Sequence, residues 1–343
     1  MTRVIVNGFG AIGQKIARQL LNKQGVECVG VTTARQQDWG KDVGELLGLD
    51  AVGVKVRRSL LELLRVTKAD AVFDATRSFV QDIREYVLAS VRAGADFIST
   101  CEELAYPWRE HPTLAQEFDE LAKSHSVTVL GTGINPGFIG DWLPLVFSAP
   151  CREVRRITSV RTTNAVGLGA SALEPFAIGK PLDEFQRRLA ADSLKGFTGH
   201  REEIAEVAAA LGWKISRIDR VIEPRTSGID REGPFFRIPR GTVCGVRTKT
   251  SGYEETGEEL ITLTLNVTFQ PTAEAVKEDV ELGIKTGDFL TIDGDPRLEL
   301  ELRGLSDAAS VTANHAVNAL PYVLVARPGL LSPKDFPPFV PRP

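Results

Sequence analysis

Two stretches of this sequence carry residues able to do chemistry. The first holds two adjacent carboxylates, Glu102 and Glu103, in Ser99-Thr100-Cys101-Glu102-Glu103-Leu104. They follow a predicted strand over 95–100. Carboxylates at a strand end can take and return a proton, and the same pair would serve equally to cap the segment that follows. The second is Gly8-Phe9-Gly10-Ala11-Ile12-Gly13, a G-x-G-x-x-G loop fed by the apolar run Val4-Ile5-Val6. This order suits a dinucleotide pyrophosphate. Gly8 permits a tight turn, Gly10 lets backbone approach the phosphates, and Gly13 lets helix pack on strand. The predicted helix that begins at Gln14 presents free N–H groups and the positive end of its dipole to the anion.

These groups need a scaffold, and the sequence supplies βα units. Predicted strands over 26–31, 71–76, 95–100 and 127–130 alternate with predicted helices over 80–93 and 114–123, which implies an α/β fold with a doubly wound parallel sheet. Ligands bind at the carboxyl ends of such strands. After Pro150 the pattern changes to predicted strands over 151–163, 215–223, 242–250 and 260–268, with helices over 182–191 and 201–211. These read as a mostly antiparallel α+β domain. A helix over 307–324 is expected to return to the first domain. The expected division is a Rossmann domain over 1–148, a substrate and dimerisation domain over 149–303, and a returning segment over 304–343. The Pro-rich tail, Phe336 to Pro343, reads as a surface extension.

Composition narrows the function classes. The chain has 343 residues, 43% hydrophobic and 25% charged, with a net charge of −4. No basic field calls for nucleic acid or an anionic membrane. Cys28, Cys101, Cys151 and Cys244 lack C-x-x-C spacing, so neither a disulfide framework nor a structural zinc site is expected, and no metal is assigned. No apolar run could span a membrane, and a cytoplasmic location is expected.

The end of the second strand bears on which dinucleotide binds. An NAD-specific fold places Asp or Glu there, against the ribose 2′-hydroxyl. Here Thr32-Thr33-Ala34-Arg35 follows Val31, with no acid. Two hydroxyls and a guanidinium suit a 2′-phosphate, so NADP(H) is favoured with NAD(H) possible, although Arg35 also reads as an ordinary surface arginine. Thr76, Thr100 and Cys101, at strand ends, are further cofactor candidates. Gly131-Thr132-Gly133-Ile134-Asn135-Pro136-Gly137-Phe138 is a stiff turn that could pass backbone close to a ligand. Asn135 could present its amide to the nicotinamide carboxamide, or the turn could be purely structural.

The strings Gly40-Lys41-Asp42-Val43-Gly44-Glu45, Ser99 to Trp108 and Gly131 to Phe138, with the glycine loop, resemble 2,4-diaminopentanoate dehydrogenase and the native NAD(P)-dependent amine dehydrogenases. The likeness runs nearly end to end. It implies the fold of dihydrodipicolinate reductase, with a homodimer expected. It also implies reversible oxidative deamination of a primary amine to a carbonyl and ammonia. A glutamate of the Thr100-Cys101-Glu102-Glu103 string would then be the acid–base group. Strand-like alternation would let only one of the two face the site, and Glu102 is the choice, with Glu103 the fallback. Where the diaminopentanoate pattern carries charged residues, this chain has Asn164 to Ala172, apolar and small. That favours a simple aliphatic or cyclic amine over the diamine. Phe138, Trp142, Asn164, Leu168, Phe176 and His200 are the candidate substrate contacts, and each could equally be core. The competing readings are the diaminopentanoate enzyme proper, an imine reductase of the dihydrodipicolinate type, and a non-catalytic NADP sensor.

Overall fold

The structure, a computed structural model, describes residues 1–167, 173–194 and 197–342. These fall into two compact units. The first comprises Met1–Leu143, Ala205–Val207 and Asp307–Pro343, and the second Pro144–Ile204 and Ala208–Ser306.

The first unit is built on strands β1 (Thr2–Asn7), β2 (Val26–Thr32), β3 (Val56–Arg57), β4 (Ala71–Asp74), β5 (Asp96–Ser99) and β6 (Thr128–Gly131). A late strand, Gly329–Leu331, joins them in an all-parallel sheet ordered Gly329–Leu331, β6, β5, β4, β1, β2, β3. Both faces are covered, which explains why the strands are apolar throughout rather than alternating. Val4, Val6, Phe73, Ile98 and Leu130 join a core that includes helix residues Ile16, Leu20, Ala316 and Leu320. Ile5, Val72, Phe97 and Val129 join the opposite core with Ile83, Val87 and Phe118. Full burial of each such side chain contributes about 1.5–3 kcal/mol. The strand order reverses between β1 and β4, which makes their carboxyl ends the crevice of a doubly wound sheet.

The Pro-rich tail is exposed at Pro337, Pro338 and Val340 to Arg342, as expected of a surface extension, but its aromatic residues are not. Phe336 is buried in the first core with Phe339 packed against it, and the Phe339 ring lies 5.1 Å from His315 and 5.3 Å from Tyr322. Two aromatic side chains outweigh the prolines between them once apolar surface is there to receive them.

The second unit holds β7 (Glu153–Asn164), β8 (Arg217–Thr226), the short β9 (Arg231–Glu232) and β10 (Arg237–Ile238), β11 (Val243–Tyr253), β12 (Glu259–Thr268), β13 (Gly287–Asp295) and β14 (Leu298–Leu302). Six of these form a sheet ordered β14, β13, β7, β12, β11, β8. It is mixed, because β7 and β12 run parallel while their neighbours pair antiparallel. Among the described residues no helix is long and apolar enough to cross a membrane.

Candidate functional site

The glycine loop fits the stereochemistry of a dinucleotide turn. Gly8 has φ +92°, and a Cβ there would lie 2.7 Å from the Ala75 carbonyl oxygen. A Cβ on Gly13 would lie 1.8 Å from the Gly8 carbonyl oxygen, so helix Ala11–Leu21 can pack this closely only with glycine. A Cβ on Gly10 would meet no protein atom within 4 Å. Gly10 is also the N-cap, with no side-chain hydrogen bond and no acid in the first turn. An uncapped helix start beside open space, with no carboxylate to repel an anion, is what a pyrophosphate requires. Phe9 is buried in the core, Ala11 is exposed, and Ile12 packs partly on the same core.

Arg35 lies against this loop. Its guanidinium donates to the Phe9 carbonyl oxygen at 2.6 Å and pairs with Asp38 at 2.8 Å. Asp38 is buried and is an acid that follows β2 in the chain. Sequence reasoning missed it because the intervening residues form a loop and a short 3₁₀ turn. Thr33 accepts from the Arg35 backbone N–H through its hydroxyl, at 3.3 Å. Thr32 is buried, and its hydroxyl donates to Asn7 Oδ1 at 2.5 Å. Thr76 stands next to the Gly8 turn and donates to Asp74 Oδ1 at 2.8 Å.

The two glutamates separate, although not by strand alternation. Residues Glu102–Leu104 form a 3₁₀ turn directly after β5. Glu103 turns toward helix Val80–Arg92, whose N-cap residue Phe79 offers no side-chain cap. Its Oε2 accepts from the Val80 backbone N–H at 2.9 Å and lies 3.1 Å from His111 Nε2. Glu102 is partly exposed. Burial of its carboxyl raises its pKa to about 7, opposed by hydrogen bonds from its own backbone and from Ser78, and Glu103 nearby adds to the rise. A carboxyl so poised can act as base or acid near neutral pH. Thr100 is partly buried, and its N–H bonds the Asp74 carbonyl oxygen. Cys101 is buried, which pushes its thiol pKa well up and disfavours the thiolate.

The turn after β6 is rigid. A Cβ on Gly137 would lie 2.2 Å from the Gly133 nitrogen, and Gly137 has φ +118°. Buried Asp141 accepts from the N–H groups of Gly137 at 2.6 Å and Trp142 at 2.7 Å. Asn135 is partly buried, and no hydrogen bond of its amide is found among the described residues. Phe138 stacks on Trp142, ring centroids 5.8 Å apart, and Trp142 Nε1 donates to the Phe336 carbonyl oxygen at 3.3 Å. His315 joins this group without having been foreseen. It lies 3.2 Å from Thr132 Oγ1 and 5.3 Å from the Phe138 ring, and burial lowers its pKa to about 4, so it is neutral. The helical reading of its segment attends only to apolar positions, which hides a histidine among alanines.

The remaining substrate candidates lie in the second unit. Asn164 uses its amide on Gln270 and Val166 backbone groups, which holds the end of β7. Phe176 packs partly on that unit's core. His200 is buried, with Nδ1 2.9 Å from Thr250 Oγ1 and Phe197 edge-on. Burial, with Arg220 nearby, lowers its pKa to about 3, so it is an uncharged member of that interior. Leu168 lies outside the described residues.

Comparison with known proteins places the fold and the family. A family model described as the 2,4-diaminopentanoate dehydrogenase C-terminal domain matches residues 138–342, and one described as the dihydrodipicolinate reductase N-terminus matches residues 2–99. The chain is similar to a 2,4-diaminopentanoate dehydrogenase from Acetoanaerobium sticklandii, at 34% identity over 99% of this chain and 94% of that one. It also resembles a 4-hydroxy-tetrahydrodipicolinate reductase from Desulfitobacterium hafniense, at 37% identity over 22% of this chain and 28% of that one. A solved amine dehydrogenase from Mycobacterium smegmatis shares the fold, with a TM-score of 0.83, 24% identity, and coverage of 99% and 97% of the two chains. With a family model across most of its length and a relative aligned along nearly all of it, the chain belongs to the 2,4-diaminopentanoate dehydrogenase family.

Proposed function

We propose that this protein is an NAD(P)-dependent amine dehydrogenase that prefers NADP(H) and takes an apolar aliphatic or cyclic amine, with Glu102 as its acid–base group. The observation that carries this reading is the division between the two glutamates. Glu103 is held by a helix start and a histidine, whereas Glu102 stands at the end of β5 with its pKa about 7. The glycine loop and the N-terminus of helix Ala11–Leu21 would hold the cofactor pyrophosphate, and Arg35 would meet a 2′-phosphate. When bound, the nicotinamide supplies a hydride acceptor.

Glu102 removes a proton from the substrate ammonium, leaving a nitrogen lone pair that drives hydride from the adjacent carbon. The carboxyl releases that proton to water before it acts again. It then takes a proton from the water that attacks the resulting iminium carbon and gives it to the nitrogen, and as the C–N bond breaks it takes the carbinol O–H proton, so that the carbonyl and ammonia are released. In reverse, ammonia and a ketone or aldehyde give the amine. The apolar choice of substrate rests on the sequence of residues 164–172, which carries no charge.

The test is NADPH oxidation with a panel of ketones and aldehydes, each with and without ammonium. Consumption that requires both carbonyl and ammonium supports the reading. Consumption with a preformed cyclic imine and no ammonium would make the protein an imine reductase. Tight NADPH binding without turnover on any substrate would make it a sensor.

Two variants probe the site's walls. Glu103→Ala removes the acceptor at the start of helix Val80–Arg92. It should cost about 1 kcal/mol of stability and lower Tm while kcat of the folded enzyme stays within a few-fold. A collapse of kcat with unchanged Tm would transfer the proton work to Glu103. Trp142→Ala should admit bulkier ketones and lose efficiency with short ones, since an indole's apolar contact is worth about 1.5–3 kcal/mol. The readout is kcat/KM for a short and a long unbranched ketone. An unchanged ratio would assign Trp142 to the core alone.

A further inference from the structure

Four neighbouring strands of the first unit end on one row of polar side chains. Thr32, Asn7, Asp74 and Ser99 are register partners across β2, β1, β4 and β5, and all four are buried. Buried polar groups at the ends of apolar strands need partners, and here they find one another. Thr32 Oγ1 donates to Asn7 Oδ1 at 2.5 Å, and Asn7 Nδ2 donates to Asp74 Oδ1 at 2.8 Å. From the other side, the Cys101 N–H donates to Ser99 Oγ at 3.1 Å, and Ser99 Oγ donates to Asp74 Oδ2 at 2.7 Å. Thr76 Oγ1 adds a further bond at 2.8 Å. Every bond points toward Asp74.

Two points on this row border the proposed site. One is Asn7, the residue before Gly8 and its turn. The other is the backbone of Cys101, the residue before Glu102. We propose that Asp74 is a positioning residue for the amine dehydrogenase reaction: a buried carboxylate that, through Ser99, fixes the turn bearing Glu102 and, through Asn7 and Thr76, fixes the glycine turn beside it. This rests on the reading of Glu102 as the acid–base group.

The chemistry favours a carboxylate at this place. A carboxylate accepts the bonds from Asn7, Thr76 and Ser99 without asking any of these donors to reverse. An asparagine would present an NH₂ group to one side of the row, so that Ser99 would have to turn its hydroxyl round and accept. A protonated Asp74 would demand the same, and a charge-assisted bond would become a weaker neutral one. Burial raises the pKa of Asp74 to about 6, opposed by the hydrogen bonds from Ser99, Thr76 and Asn7, so the row is complete at neutral pH and weakens below about 6. The titratable groups about Glu102 are Glu103, with His111 on its far side, and the Cys101 thiol, which also senses Asp74.

The experiment uses the whole enzyme with Asp74→Asn and Ser99→Ala. Ser99→Ala leaves Asp74 in place and severs only its link to Cys101, so it remains informative should Asp74→Asn fail to fold. The readouts are Tm, cofactor Kd from fluorescence titration, and kcat for amine oxidation against pH. The expected result for Ser99→Ala is a folded protein with cofactor Kd within about threefold of wild type, kcat lowered at least tenfold, and the acid limb of the pH profile displaced. Asp74→Asn should lower kcat at least as far and also weaken cofactor binding. Folded variants with a lowered Tm but wild-type kcat and an unmoved limb would make the row merely structural and overturn the proposal. Failure of the Glu102 reading is separable, because wild type would then show either no amine oxidation or a limb that survives Glu102→Gln.

Discussion

Glu102→Gln should lower kcat for amine oxidation by about 10²–10⁴-fold while leaving NADPH affinity nearly unchanged. Glutamine keeps the shape of the side chain and loses its ability to take a proton from the substrate ammonium. The proposed cofactor contacts on the glycine loop do not involve this side chain, so binding should not fall. The pH profile gives the sign. With the pKa of Glu102 at about 7, the carboxylate form dominates above that pH, so amine oxidation should rise through neutrality and level off beyond it. The glutamine variant should lack this limb. Any residual rate should then show only the titration of the substrate and of other groups. A variant that retains most of its kcat would send the role to Glu103, whose helix cap would then have to be expendable.

Arg35→Ala should weaken NADP(H) about ten- to hundred-fold and NAD(H) much less. Loss of a charge-assisted contact to a phosphate costs on the order of 1.5–3 kcal/mol. Only NADP(H) carries a phosphate at the 2′ position. The guanidinium is already tied to Phe9 and Asp38, so it stands pre-oriented at the edge of the glycine loop. Its removal also leaves buried Asp38 without its cation, which should lower Tm and makes it necessary to measure affinity on folded protein. Paired titrations of the two reduced cofactors check this. An equal loss for both would mean that Arg35 serves only to brace Phe9.

The parts of this molecule legible in the sequence were those fixed by local backbone demands. Gly8 and Gly13 are needed because neighbouring backbone occupies the space of a side chain, and that need is written in the residue types. Apolar strands buried on both faces likewise announce a parallel sheet. What escaped was set by contacts between residues far apart in the chain. Glu103 is separated by 23 residues from the N–H it accepts. His315 meets Thr132 across 183 residues. Phe336 and Phe339 looked like tail residues because nothing local shows the core that receives them. The separation of Glu102 from Glu103 was expected from strand alternation. The structure instead shows a 3₁₀ turn, where the two side chains diverge because consecutive positions on a helical turn point apart. In the second unit, β13 and β14 alternate in burial and close one edge of the sheet, yet they had no place in the sequence reading.

The central claim is that this chain removes nitrogen from a primary amine at the expense of a nicotinamide cofactor. The most direct measurement incubates the purified enzyme with an apolar primary amine and NADP⁺, and follows NADPH by absorbance and ammonia by an independent assay. The account predicts one ammonia released per NADPH formed, with both signals lost in Glu102→Gln. NADPH formation without ammonia, or with equal rates in wild type and Glu102→Gln, would contradict it.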